Sequence, residues 1–422
     1  MSERCSDCNE YTYVDLFAGC GGLSEGFTQR GFIPIAKVEM NKDAADSLLI
    51  REVYHYLDRA DRIDTYRDFV TNRISKGELL ECVPESVCKT VRNEEISEDN
   101  AGELAEWIKS RLDVISKLSV DVIVAGLPCQ SFSSVGRAKG NDISDPRNYL
   151  YWPFVKIVEE LRPKICLVEN VRGLETADGG IHFQSIVRLL KERGYRVTWN
   201  VLNAKEYGVL QNRSRLFIVS VRDDLQCKFD FPEKVTNSYS LHDIFDDIVF
   251  PDEPDYGLSY DDCSDYLKEF GIRKRGDVLF QNQASYPVRN QTQDQRIMKL
   301  CIQEMLKNGR MLLYSELPTE LQTHKNLNKK SFQDRYRVLN PNGVSHTITA
   351  HISKDGHSHI YPDLEQLRYI SLREASRIQS FPDDYFFSGS FTSQRKQVGN
   401  AVPPLLAGAL ADSVKRCLDS CI

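Results

Sequence analysis

No apolar stretch in the 422 residues approaches the roughly 20 needed to span a bilayer, which excludes a helical integral membrane protein. The opening residues, MSERCSDCNE, lack the apolar centre of a secretory signal, so a soluble, intracellular chain is expected. No internal repeat is found, which sets aside solenoid and propeller architectures. A second close cysteine pair is also missing: Cys5 and Cys8 form the one CxxC, short of the four ligands a structural zinc takes, and no metal is expected. Histidines number only eight, and His351, His357 and His359 lie around a Lys-Asp-Gly turn signal, where they read as turn residues. The twelve cysteines are scattered from 5 to 421 and are expected to stay reduced.

Length alone suits two or three compact domains. The formal net charge of −7 argues against a uniformly basic nucleic-acid binder, but it conceals a contrast. Residues 223–263 hold twelve acids against two lysines, whereas residues 264–340 hold fourteen Lys plus Arg against eight acids. Two solvated faces of opposite sign and a nucleic-acid footprint explain this contrast equally well.

From Tyr13 to Arg222 apolar strand runs alternate with helical patterns, the signature of a parallel sheet covered on both faces. "YVDLFAG", "FIPIAKVE", "VDVIVAGL", "KICLVEN", "YRVTWNVL" and "RLFIVSV" read as strands. "GGLSEGFTQRG", "DAADSLLIREVYHYL", the Leu104, Ile108, Leu112 series, "NYLYWPFVKIVEEL" and "FQSIVRLLKERG" read as helices. The expected fold class is α/β, a doubly wound Rossmann-like sheet with a second, smaller and irregular domain. The expected division is 1–222 for the first domain, 223–370 for the second, 371–394 as a hinge, and 395–422 as a C-terminal helix returning to the first.

"DLFAGCGG" places Gly19, Gly21 and Gly22 where the first strand turns into its helix, a turn that lets a ligand approach the backbone. Glu39, twenty residues past Gly19, ends the second strand, where an acid can hold ribose hydroxyls. Ser24 stands where the dinucleotide fingerprint GxGxxG has its last glycine, which disfavours NAD. Phe17 offers a ring suited to a sulfonium cation and so points to S-adenosyl-L-methionine.

In "AGLPCQSFSSVG", Cys129 follows an apolar run rather than sitting within it, between Pro128 and Gln130, as a nucleophile would. Methyl transfer to carbon 5 of cytosine requires such a thiol, because its addition at carbon 6 makes carbon 5 enamine-like. Glu169 in "VENV" can meet the ring N3 and amino edge if burial keeps it protonated. Arg213 and Arg215 in "QNRSRLFIV", two apart at a strand's start, are expected on one face, to bind the base carbonyl or a phosphate. Within a duplex none of these groups reaches a stacked base, so the nucleotide has to swing out.

Taken in order, "DLFAGCGG", "GLPCQSFS", "ENVRGL", "QNRSRLFIV", "SLREASRIQSFPDDY" and "VGNAVPP" resemble the motif series of DNA (cytosine-5) methyltransferases, over about residues 11–222 and 335–410. The resemblance implies Cys129 as covalent nucleophile, Glu169 as the N3 partner, and Arg215 in the base pocket with Arg213 beside it. It implies cofactor contacts from Phe17, Gly19, Gly21, Glu39, Pro128, Leu150 and Asn400, with Met40 where a tryptophan often meets the adenine. Glu95 and Ile96 stand where the family often has the Asp-Ile that binds adenine. The loop "SFSSVGRAKGNDISDPRN" resembles the family's mobile loop, bringing Ser133, Arg137 and Arg147 to the target strand. Residues 223–370 would form the target-recognition domain, with Arg273, Lys274, Arg275 and Arg289 as candidate phosphate contacts. The resemblance further implies double-stranded DNA as partner, a separately encoded restriction endonuclease, a monomer, and a cytoplasmic enzyme of bacterial or phage origin with no accessory region before the motifs. A tRNA cytosine methyltransferase, a catalytically silent DNA-binding regulator and an NAD-dependent oxidoreductase are the competing readings.

Overall fold

A computed structural model describes residues 10–128, 149–236, 238–245, 247–248, 260–276, 292–323, 333–354 and 356–421. Its centre is a seven-stranded sheet in the order β3-β2-β1-β4-β5-β8-β6. The strands are β1 (Thr12–Leu16), β2 (Ile33–Glu39), β3 (Val91–Asn93), β4 (Val122–Gly126), β5 (Ile165–Val171), β6 (Tyr195–Asn203) and β8 (Ser214–Arg222). Between the last two, β7 (Gln211–Asn212) leaves the sheet to pair with β9 (Ser345–His346). The first five strands of this order run parallel; four of them carry the apolar runs that predict it, whereas the short edge strand β3, VRN, is not among the strands expected. The sheet is nevertheless mixed, because β8 is antiparallel to both β5 and β6. The reason is the short chain from β6 to β8, which holds no crossover helix and so returns the chain in the opposite sense.

Helices α1 (Gly22–Gln29), α2 (Lys42–Arg59), α3 (Ala101–Val114), α4 (Tyr151–Leu161) and α5 (Ile181–Glu192) connect the strands, and α9 (Pro404–Asp419) closes the chain. One apolar layer joins Val14, Leu16 and Val38 to α3, α4 and α5 through Leu104, Ile108, Phe154 and Leu190. The other joins Tyr13, Val124 and Leu167 to α1 and α9 through Phe27, Leu406 and Leu410. Each face of the sheet is thereby covered, which is why its central strands are apolar without alternation. α9 approaches α1 closely: a Cβ on Gly26 would lie 2.5 Å from both Ala407 Cβ and Gly408 N.

Beyond Arg222 the sequence loses its periodicity because the chain forms short segments on two further cores. One joins Leu241, Ile244, Tyr266 and Leu267 to α7 (Leu372–Ile378) and α8 (Phe391–Asn400), and takes in Cys20 and Leu210 of the sheet region. The other is built by α6 (Thr292–Asn308) with Tyr314, Leu317, Val338, Ile360 and Tyr369. α7 is wholly buried and carries an ion cluster: Arg377 bridges Asp247 and Asp383, and Arg273 and Arg373 join the same carboxylates.

One cysteine expectation changes. Cys227 and Cys421 are joined as a disulfide rather than left as thiols, since packing α9 across the sheet brings residues 194 apart in sequence together. His359 closes a turn as expected, its backbone N–H donating to the Gly356 carbonyl at 2.8 Å, and its ring is buried against that of His346, with centroids 4.1 Å apart. Cys5 and Cys8 lie outside the described residues.

Candidate active site

The order of strands reverses between β1 and β4, so their carboxyl ends open a crevice. β1 exits through Phe17, a non-glycine residue at φ 57°, into Gly19 at φ 56°. A Cβ on Gly19 would meet nothing within 4 Å, so this turn faces open space. Gly21 and Gly22 do something else. A Cβ on Gly21 would lie 2.6 Å from Leu48 Cδ2, and one on Gly22 would lie 2.0 Å from the Val402 carbonyl oxygen. Those two glycines let α2 and the 402 segment close on the turn, so of the three only Gly19 has open space where a side chain would stand.

Glu39 stands at the end of β2 and is nearly buried. Its Oε2 accepts from Gly19 N–H at 2.8 Å and its Oε1 from Asn41 N–H at 2.7 Å, so the carboxylate fixes the glycine turn while each oxygen retains a lone pair. Burial raises its pKa and these backbone donors oppose the rise. Met40 beside it is 60% exposed. Asn93 Nδ2 donates to the carbonyls of Glu39 and Met40, holding β3 to this edge. Glu95 is exposed, whereas Ile96 is buried in the same core as Ala101 and Leu104. Leu150 is half-buried ahead of α4, and Asn400 is exposed at the end of α8. The sequence-distant α8 does reach the turn, because Cys20 Sγ contacts the Gln397 carbonyl at 3.5 Å.

The second half of the crevice lies at β4, β5 and β8. Glu169 pairs in register with Gly126, and Val171 with Arg215. Arg215 Nε lies 2.9 Å from Glu169 Oε1, their side chains 14% and 12% exposed. Burial raises the Glu169 pKa, against the pull of Arg215 and then Arg213. Gly126 joins the two halves: a Cβ there would sit 3.4 Å from the Phe17 carbonyl and 3.9 Å from Glu169 Oε2. Asn170 is buried and donates to the Leu127 carbonyl at 3.2 Å, pinning the chain just before Pro128. Cys129, Ser133, Arg137 and Arg147 lie outside the described residues.

Arg213 does not share this setting. Fully buried, it donates to the carbonyls of Ile348 at 2.5 Å and Ala401 at 2.8 Å. It precedes β8, so strand alternation does not govern it, and it clamps the chain segments that converge behind the pocket. Arg273 and Lys274 are likewise held by carboxylates: Arg273 by Asp247, and Lys274 by Asp384 at 3.0 Å. Arg289 lies outside the described residues.

Three contributors escaped the sequence reading. Ser24 Oγ donates to Asp15 Oδ2 at 2.6 Å, so the residue replacing the third fingerprint glycine ties α1 to β1. Asp15 is fully buried, its pKa pushed up to about 7, chiefly by desolvation. Tyr385 Oη donates to the Cys20 carbonyl across the turn. The fingerprint spacing had marked Ser24 only as a missing glycine, and the "DL" and "DDY" stretches held Asp15 and Tyr385 in view with no spacing rule to link them to the turn.

Residues 11–56 and 86–416 match the C-5 cytosine-specific DNA methylase family. The chain is 34% identical over 440 residues to the type II methyltransferase M.Bpa9945I of Bacillus paralicheniformis, covering 95% of this chain and 98% of that one. It is 30% identical to the type II methyltransferase M1.HphI of Haemophilus parahaemolyticus, covering 98% of this chain and 89% of that one. Among solved structures, a mutant form of Spodoptera frugiperda DNMT2 shares the fold with a TM-score of 0.55 at 16% identity, covering 96% of this chain and 99% of that one. The mixed sheet, the two-part crevice and these matches lead to one conclusion: the chain belongs to the C-5 cytosine-specific DNA methylase family and is a DNA cytosine-5 methyltransferase of the type II restriction-modification kind.

Proposed function

We propose that the enzyme uses S-adenosyl-L-methionine to methylate a cytosine swung out of a specific duplex sequence, with Cys129 as the covalent nucleophile. The observation that carries this reading is the Glu169–Arg215 pair, set beside Gly126 at the head of the chain that runs through Pro128 into Cys129. The open face of Gly19 gives the donor room, Glu39 retains acceptor capacity for ribose hydroxyls, and Phe17 and Met40 offer apolar faces. When bound, the donor supplies an electrophilic methyl group.

The chain's residues do the rest. The Cys129 thiolate forms a bond to carbon 6, and the electron pair of the 5,6 double bond is displaced into the ring toward N3. A neutral Glu169 carboxyl donates to N3 and stabilises the charge that develops there. Its raised pKa, caused first by burial, favours the protonated acid this contact needs. Arg215 orients the carboxyl through Oε1 and is placed to meet the base carbonyl. After methylation, loss of the carbon 5 proton and departure of the Cys129 sulfur restore the aromatic ring.

Residues 223–370 supply target recognition in this reading, with the α6 core as their scaffold. We further propose a monomer that works in the cytoplasm beside a separately encoded restriction endonuclease. No described helix is long and apolar enough to cross a membrane. The decisive experiment incubates the enzyme with donor and a duplex carrying 5-fluorocytosine at the target. The fluorine cannot leave as a proton does, so an adduct at Cys129 is expected in the wild type and none in Cys129→Ser. Absence of an adduct refutes the covalent step, and preferential methylation of tRNA refutes the duplex assignment.

A further inference from the structure

We propose that Cys227, Cys417 and Cys421 form a thiol–disulfide exchange site that latches α9 to the sheet. The three sulfur atoms lie within 4.8 Å of one another. Cys227 and Cys421 are bonded, closing a span of 194 residues, and Cys417 is the third thiol. Cys421 lies two residues past the end of α9, where its N–H donates to the Leu418 carbonyl at 3.1 Å and keeps it next to Cys417 on the last turn. The partner segment is held in place independently: Arg196 Nη2 on β6 donates to the carbonyls of Leu225 and Cys227, each at 2.8 Å. Cys227 and Cys417 are buried among Phe229, Val414 and Leu418, while Cys421 is half-buried. A reagent from solution therefore meets Cys421 first.

The latch lies at the amino-end side of the parallel strands. β8 runs antiparallel to β5, and its end at Arg222 leads into Cys227 there; Tyr11, which precedes β1, donates to Asp419 at 2.8 Å. It is thus on the opposite side of the sheet from Glu169 and Gly19. It still acts on the helix whose leading segment holds the glycine turn, through the contact of Gly22 with Val402.

On closing, Cys227 and Cys421 lose two protons and two electrons to an oxidant of the peroxide or small-molecule disulfide class. A peroxide leaves as water, a disulfide as two thiols. In exchange, Cys417 loses its proton and its sulfur attacks Cys227 Sγ. The Cys417–Cys227 bond forms, the Cys227–Cys421 bond breaks, and Cys421 departs as a thiolate that takes up the proton. Burial holds the Cys417 thiol protonated, so the exchange is slow and the outer latch persists. The anchor can thus shift from Cys421 to Cys417 without a further oxidant.

The test equilibrates the full chain in glutathione buffers of graded oxidised-to-reduced ratio, then alkylates, digests and maps disulfides by mass spectrometry. A Cys227–Cys421 cross-link is expected in oxidising buffer, with Tm higher by roughly 5 °C than in reducing buffer. Cys421→Ser, at the half-buried helix end, is expected to fold and to yield a Cys227–Cys417 cross-link instead. Methylation by reduced Cys421→Ser is expected to equal that of the reduced wild type. Three freely alkylated thiols in the most oxidising buffer would overturn the proposal. So would stoichiometric zinc that shields all three from alkylation, because the site would then be a metal site.

Discussion

Replacing Glu169 with Gln preserves the size of the side chain and removes the titrating proton, and so isolates what the carboxyl contributes. The Gln amide can still donate to N3 but has no proton to transfer, so the expected slowing is that of losing proton transfer to the developing charge, about 10²–10⁴-fold, or about 3–5 kcal/mol in the barrier. The structural cost is smaller. Gln keeps an amide oxygen to accept from Arg215 Nε, and Arg215 keeps its Nη1 contact to the Ser214 carbonyl at 2.9 Å, so losing only the charge of the partner costs about 1 kcal/mol of stability. The pH dependence gives the sharper signature. Burial raises the Glu169 pKa above its unfolded value, with Arg215 opposing, so the group's stabilising contribution is complete below the ordinary carboxylate range and fades as pH rises through the raised value. Activity that needs the proton declines in the same direction. Single-turnover methyl transfer measured across pH should therefore show a high-pH limb in the wild type that is missing in Glu169→Gln, with duplex affinity changed less than about threefold. A Gln variant with a wild-type rate and an unaltered limb would refute the proton-donor role.

The glycines of the turn should separate by function. Gly19→Ala places a Cβ in open space at positive φ, costs about 1 kcal/mol of stability and raises the KM for the methyl donor, whereas Gly22→Ala drives a Cβ into the Val402 carbonyl and costs about 3 kcal/mol or more. Thermal melts and donor titrations distinguish them, and equal effects on both quantities would contradict the division of roles. For Asp383, burial pushes the pKa up but Arg377 and then Arg373 overcome it, bringing it down to about 2. Its contribution of about 2 kcal/mol is present above the ordinary aspartate value and lost as pH falls through about 2, so Asp383→Asn should flatten the acid side of the stability curve; an unchanged acid midpoint would count against the cluster.

The strands and the turn were legible because apolar runs and glycines act locally. The order of the strands was not legible, and neither was the edge strand β3, whose three residues carry no apolar run; the structure supplies both, and the crevice follows from where that order reverses. The direction of β8 was hidden, since "RLFIVSV" reads the same in either sense and only the missing crossover helix decides it. Arg213 and Arg215 look alike in sequence, yet one meets backbone carbonyls from residues 348 and 401 and the other meets Glu169. That distinction depends on segments more than 100 residues away. That Gly22 makes room for Val402 was hidden too, because a glycine reports that space is needed and not what fills it. The Cys227–Cys421 bond is likewise a product of how α9 crosses the sheet, which cysteine spacing does not reveal.

The basic excess of residues 264–340 resolves into unequal pairs, and this decides which charges DNA can recruit. Arg273 is buried with Asp247 and Asp383, while Arg275 pairs with Asp261 at 2.6 Å with both side chains about 70% exposed. Withdrawing Arg273 would leave buried carboxylates short of a partner, a cost of about 3–5 kcal/mol that one phosphate contact does not offset. The exposed pair is screened by solvent and can yield Arg275 to a phosphate readily. Binding to a duplex measured against salt separates the two. Arg275→Ala should lower the slope of log affinity against log salt by about 1 with Tm unchanged. Arg273→Ala should lower Tm and leave the slope as in the wild type. A slope change with Arg273 and none with Arg275 would mean that the buried ion cluster opens on DNA, contrary to the energetics of its pairing.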